Sequence, residues 1–207
     1  LSSERSAELL AEAGLDLATL RESPPRNAIP LDGITMNVSA PFEVSEHMPP
    51  NVVGMVRGSD PELRNEYIVY SAHFDHVGVG IPDASGDSIY NGADDDASGT
   101  AVLLETAAAF AALDVPPARS VIFLAVSGEE KGLLGSKYFS ENPTVPIEGI
   151  VLNINVDMVG RNHPDTVIGV GRQYTNLGPL TDRVLREHPD LGFVVIEDPK
   201  PEDQAFF

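Results

Sequence analysis

At 207 residues, 42% of them hydrophobic, the chain is long enough to bury a sizeable core and suits one domain, or one domain with an excursion. Thirteen basic against 32 acidic residues give a formal net charge of −19, which argues against a nucleic-acid backbone or an anionic membrane surface as partner. With no cysteine there is neither a disulfide frame nor a thiolate metal site, so any metal must be held by His, Asp and Glu; no apolar run approaches the ~20 residues of a membrane span.

Residues 3–13 (SERSAELLAEA) carry apolar positions at helical spacing, with a Ser cap and Gly14 as a stop, and predict a surface helix. Residues 17–22 predict a second short turn that ends before Pro24 and Pro25, and the Pro-rich stretch to Pro30 reads as a connector. Residues 34–44 alternate as a strand, which Pro41 places at an edge. His47, beside Met48, Pro49 and Pro50, reads as a surface residue. Residues 1–20 lack a signal peptide's apolar centre, and a start at Leu rather than Met fits a processed product or an excised piece.

Two short β-rich runs, 52–56 and 67–72, are separated by the turn GSDPELRNE, and the second leads into His73-Phe74-Asp75-His76. A His at the carboxyl end of a buried strand, with Asp two residues on, can place one imidazole nitrogen on a metal while a neighbouring carboxylate fixes the other. His76 is the alternative ligand; strand geometry favours His73. A coil-like stretch follows, and then residues 91–100, NGADDDASGT, just before the apolar helical run 101–112, with Ser98 as its expected cap. Three adjacent carboxylates repel, and a turn that needed only a cap would be served by one Asp or Ser, so a positive charge is expected among them. Two other readings compete. One is a solvated acidic helix start, which the helix dipole favours. The other is a calcium loop, since Asp94, Asp96, Ser98, Gly99 and Glu105 fall at its positions 1, 3, 5, 6 and 12, although the preceding coil offers no entering helix.

Residues 119–126 (RSVIFLAV) predict a nearly continuous apolar strand that ends at Ser127-Gly128-Glu129-Glu130, with a helix, LLGSKYFS, after it. Residues 149–156 predict another strand, ending in Asp157, and 166–170 and 193–196 two more, with a helix over 180–187 between them. This alternation predicts an α/β fold: a mostly parallel mixed sheet with helices on both faces, whose ligands bind beyond the carboxyl ends of the strands. His73, Asp94 to Asp96, Glu129-Glu130 and Asp157 all fall on that one edge, whereas independent surface acids would fall at both ends. The convergence points to a metal ion or a pair of them. Nitrogen and carboxylate donors without sulfur suit zinc, manganese or cobalt in an open, catalytic site. A metal pair needs a bridging carboxylate and a Glu left out of coordination to deprotonate water, and Glu129 and Glu130 offer one residue for metal binding and one for the base.

Over residues 51–199 the ordered motifs HFD, GADDDASG, the EE pair after an apolar strand and NVDM resemble the co-catalytic zinc aminopeptidase family, which includes bacterial leucyl aminopeptidases, glutamate carboxypeptidase II and the glutaminyl cyclases. The resemblance implies a zinc-exopeptidase architecture of the phosphorylase/hydrolase type over residues 51–207, preceded by a helical connector and edge strand over residues 1–50. By position, it implies that His73 and Asp157 bind one zinc, Asp95 bridges, Glu130 binds the second and Glu129 is the general base. Asp75 would orient His73, Asp94 and Asp96 would give support, and the Asp95–Asp96 peptide would be cis. It further implies a metal-dependent exopeptidase acting on the N-terminal residues of peptides, a secreted or periplasmic location, and an inserted protease-associated domain before this segment that the sequence lacks.

One departure stands out: the family's last ligand, a His beyond the final strands, has no counterpart before Phe207, and neither His163 nor His188 suits the role. The expectation is therefore a catalytic domain incomplete at its C-terminus, its second zinc left with Asp95 and Glu130 alone, holding one zinc or none and nearly inactive. A glutaminyl cyclase-like enzyme with a single zinc, or a non-catalytic binding domain of the same fold, is the alternative.

Overall fold

The computed structural model describes residues 2–199 apart from 32, 34, 36, 38, 43, 45 and 162. The chain divides into two units, Leu1–His47 and Met48–Phe207. In the first, helix α1 (Ser3–Glu12) starts under Ser2, whose hydroxyl accepts the Arg5 N–H at 3.2 Å, and helix α2 (Leu17–Glu22) under Asp16, whose carboxylate accepts the Thr19 N–H at 2.7 Å. No residue of either helix is buried, as a surface helix requires. The strand expected over residues 34–44 falls partly on positions outside the described residues, and the described residues of that span form no strand.

The second unit is built on a four-stranded sheet. Its elements are β1 (Val52–Val56), β2 (Tyr67–His73), the short β3 (Gly78–Val79) and β4 (Ile89–Tyr90), α3 (Ala97–Ala111), β5 (Ser120–Val126), α4 (Leu134–Glu141), β6 (Ile150–Asn155), β7 (Thr166–Gly169), α5 (Leu177–Glu187) and β8 (Val194–Glu197). The strand order is β1-β5-β2-β6: β1 runs antiparallel on the edge, while β2 is parallel to both β5 and β6.

β5 reads as an unbroken apolar run because both of its faces are covered. Ile122, Leu124 and Val126 pack with Val69 and with Phe139 of α4 on one face; Val121 and Phe123 pack with Ala72 and with Leu103 of α3 on the other. Tyr70, Phe110 and Phe123 add mutual ring contacts with centroids 5.9 to 6.0 Å apart. The helices thus lie on both faces, as the alternation of elements predicts.

β7 and β8 add no strand to this sheet. They pair in parallel with each other, and β3 with β4 as a separate hairpin. Arg172 fastens the β7–α5–β8 segment: its guanidinium donates to the Val195 carbonyl at 2.7 Å and the Gly178 carbonyl at 3.2 Å, and pairs with Asp182 of α5.

Candidate metal centre

Parallel pairing decides where the chemistry falls. His73 closes β2 in register with Val126, the last residue of β5, and Ser71 pairs with Asn155, the last residue of β6. Glu129 and Glu130 lie in the single 3-10 turn just beyond β5, and Asp157 lies two residues beyond β6, so all reach the same carboxyl edge. The acidic triplet meets this edge from the start of α3, and the Asp95–Asp96 peptide is cis, as the resemblance implies.

The helix cap differs from expectation. Asp96, not Ser98, is the N-cap of α3, its Oδ1 accepting the Gly99 N–H at 2.8 Å. An aspartate caps at least as well as a serine, so the helix begins before the apolar run, and Ser98 instead donates its hydroxyl to the Asp94 carbonyl at 2.7 Å. Asp96 is only 1% exposed and also accepts the Met158 N–H at 3.3 Å and the His73 N–H at 3.2 Å. One carboxylate therefore ties together the end of β2, the start of α3 and the turn after β6. Asp96→Ala leaves these buried N–H groups unmatched and is expected to lower the stability of the metal-free chain by about 2–4 kcal/mol, read from urea unfolding.

His73 is 3% exposed, and its ring is oriented at both nitrogens. Nδ1 lies 3.0 Å from the Asp75 carbonyl oxygen, so the main chain of Asp75 holds the ring. The Asp75 carboxylate is 3.6 Å from Nδ1, too far for a hydrogen bond, and instead accepts the Glu129 N–H at 3.4 Å. Asp75 thus links His73 to Glu129 through two different groups. With its proton on Nδ1, His73 turns the Nε2 lone pair toward Asp95 Oδ1 at 3.0 Å, Asp157 Oδ2 at 3.9 Å and Glu129 Oε2 at 4.0 Å.

A lone pair facing several carboxylates is repulsive unless a proton or a cation sits between them. Two donors about 2.1 Å from one tetrahedral ion are separated by about 3.4 Å, which the spacing of these atoms brackets. His73, Asp95 and Asp157 each offer a donor atom, all within 4.8 Å of one another; His76, Asp95 and Glu130 do the same, with Asp95 common to both sets. Buried atoms without hydrogen-bond partners, Glu130 Oε1, His76 Nδ1 and Asp94 Oδ2, belong to this neighbourhood. The donor set therefore fits a metal pair. His76, the alternative to His73 in the sequence, lies with its Nδ1 2.6 Å from Glu130 Oε1 in the second of these sets.

The protonation equilibria carry the same strain. Burial raises Asp96, Asp157 and Glu129 above the ordinary carboxylate range; His73 pulls the latter two down, and neighbouring acids push them up again. Burial lowers His73, but Asp157, Asp96 and Glu129 outweigh it and hold the imidazole above its usual value. A group whose pKa is raised on folding takes up protons in the folded state, so its contribution is present at low pH and is lost as pH rises through the folded value. The metal-free chain is therefore expected to melt at a higher temperature near pH 5.5 than near pH 8, a difference that saturating zinc shrinks or reverses; calorimetry of both forms checks this.

The mixed, mostly parallel sheet with helices on both faces is an α/β fold that superposes on a solved Zn-dependent exopeptidase from Parabacteroides distasonis with a TM-score of 0.51 at 23% identity, covering 74% of this chain and 58% of that one. The chain belongs to peptidase family M28, which matches residues 51–206. A Pyricularia oryzae protein described as a probable zinc metalloprotease is 35% identical over 133 residues, 63% of this chain and 24% of that protein. The aminopeptidase of Aneurinibacillus sp. strain AM-1 superposes with a TM-score of 0.52 at 23% identity, covering 72% of this chain and 34% of its own. Porphyromonas gingivalis glutaminyl cyclase superposes with a TM-score of 0.50 at 27% identity, covering 71% of this chain and 54% of its own. The chain spans about a quarter of the length of the curated relatives it matches.

Proposed function

We propose that this chain is the metal-binding core of a zinc-dependent exopeptidase that removes N-terminal residues from peptides. The observation that carries the reading is His73 Nε2 facing Asp95 and Asp157, with the Glu129 carboxylate 4.0 Å away. In this reading His73, Asp95 and Asp157 hold one zinc, Asp95 also reaches the second beside Glu130, and Glu129 stays out of coordination. When bound, the metal pair polarises a scissile carbonyl and acidifies water.

Glu129 takes a proton from the attacking water and passes it to the departing amine. In the metal-free chain burial raises its carboxyl above the ordinary range. Asp75 keeps this base and the His73 ring in fixed relation through its carboxylate and its carbonyl. The surplus of acids at the edge favours a substrate's cationic amino terminus over a free carboxylate, which supports aminopeptidase rather than carboxypeptidase action.

Every ligand position expected up to Asp157 holds an acid or a His, which speaks against a non-catalytic binding domain. An exported location belongs to the same proposal and rests on the resemblance; among the described residues, no helix is long and apolar enough to cross a membrane. The test is cleavage of a leucyl anilide by the zinc-loaded protein beside the N-acetylated analogue. Cleavage of the free amine alone supports the proposal; equal cleavage of both, or of neither, overturns it. The likeness to glutaminyl cyclase supports a second reading, a single-zinc enzyme, which release of a pyroglutamyl peptide from an N-terminal glutaminyl peptide would reveal.

A further inference from the structure

We propose that a cavity at the amino edge of the sheet, opposite the candidate metal centre, binds a phosphate group through Arg57 and Arg64. Met55, Arg57, Arg64, Asn65, Tyr67 and Ser120 line this cavity, whose volume is about 220 Å³. Two of these residues are cations and none is an acid, in a chain whose formal net charge is −19.

Strand direction brings them together. β1 runs antiparallel to β5 and ends with Val56 beside Val121, so Arg57 leaves the sheet where β5 begins at Ser120; β2 begins there too, with Tyr67 paired to Ser120. The length of β2 separates Tyr67 from His73, roughly 20 Å at the rise of a strand, so the cavity is distinct from the acidic edge. One buried hydroxyl fastens the turn that carries both arginines to β5: Ser120 Oγ accepts the Gly58 N–H at 2.9 Å and donates to the Arg64 carbonyl at 2.7 Å. Gly58 fits because it has no side chain; a Cβ would lie 2.4 Å from the Ala118 carbonyl oxygen. The Arg64 N–H donates to the Asp60 carbonyl at 2.9 Å. Both arginines thus rise from main chain already held in place, which lowers the ordering cost of binding.

The donors around the cavity are unspent. Glu66, two residues after Arg64, is taken by Arg119 at 2.6 Å, and Asp60 Oδ1 accepts the Glu62 and Leu63 N–H groups at 2.7 and 3.1 Å. Among the described residues, the side chains of Arg57, Arg64, Asn65 and Tyr67 have no hydrogen-bond or ion-pair partner. One guanidinium fork saturates the two oxygens of a carboxylate, whereas the oxygens of a phosphate accept from two guanidiniums at once and leave lone pairs for the Asn65 amide and the Tyr67 hydroxyl.

The test is phosphate titration of the metal-free 207-residue chain at low ionic strength, read by calorimetry and by NMR of the arginine Nε–H groups. Without zinc the acidic edge repels phosphate, so it does not compete. Wild type is expected to bind one equivalent saturably, with two arginine resonances shifting. Arg57→Gln and Arg64→Gln are each expected to weaken binding at least about tenfold, through loss of charge-assisted hydrogen bonds. Lys137→Gln, exposed on α4, removes the same charge elsewhere and is expected to change nothing.

Glycerol phosphate titrated beside inorganic phosphate tells an ester from the free ion, and saturable binding of either supports the proposal. Acetate binding as tightly as phosphate, unchanged affinity in both folded arginine variants, or equal weakening in Lys137→Gln overturns it. The wild-type spectrum needs no variant to fold: absence of saturable binding, or saturation without two shifted arginine resonances, also overturns it.

Discussion

Glu129→Gln is expected to lower peptide hydrolysis at least about a hundredfold while leaving zinc content unchanged, because removing a general base typically costs that much. The amide keeps the shape of the side chain and loses only the ability to take a proton. The neighbouring Glu130→Gln is expected instead to lose zinc, since its carboxylate lies with the second donor set and Glu129 lies beside His73. Turnover and metal analysis on the two variants separate the roles of adjacent residues with the same chemistry. Loss of zinc in Glu129→Gln with retention in Glu130→Gln would reverse the assignment.

Asp95→Ala is expected to have the broadest effect of any single change at the centre. Asp95 belongs to both donor sets, so its removal takes a ligand from each ion at once. Zinc at a hundred times its dissociation constant stabilises a one-site protein by about 2.7 kcal/mol, and this increment should vanish in Asp95→Ala while activity falls to background. Thermal unfolding with and without zinc reads the first effect, and anilide hydrolysis the second. Zinc stabilisation equal to that of the wild type would show that Asp95 does not bridge.

The legible parts of the fold were those written as runs. β5 announced itself because an apolar stretch buried on both faces has no polar alternation to confuse it; His73, Glu129, Glu130 and Asp157 stood out by following strands, and the acidic triplet by its adjacent like charges ahead of α3. The identity of the α3 cap was harder to read, because Asp96 and Ser98 are both good caps and only the meeting of β2, α3 and the turn after β6 decides between them. The role of Asp75 was half visible: spacing placed it beside His73, but its main-chain carbonyl, not its carboxylate, holds the ring. The approach of His76 to Glu130 depended on loop geometry, which carries no period to read. The separate pairing of β7 with β8 was equally hidden, since strands of four residues look alike whether they join a larger sheet or only each other.

The carboxyl edge of the sheet is expected to bind metal through His73, Asp95 and Asp157. The most direct measurement is a crystal structure of the zinc-soaked protein with anomalous difference maps on either side of the zinc absorption edge. A strong peak is expected at coordination distance from His73 Nε2 and from carboxylate oxygens of Asp95 and Asp157, about 2.0–2.2 Å from each. An ordered edge with no peak there, or zinc held elsewhere on this acidic surface while these side chains pair only with one another, would contradict it.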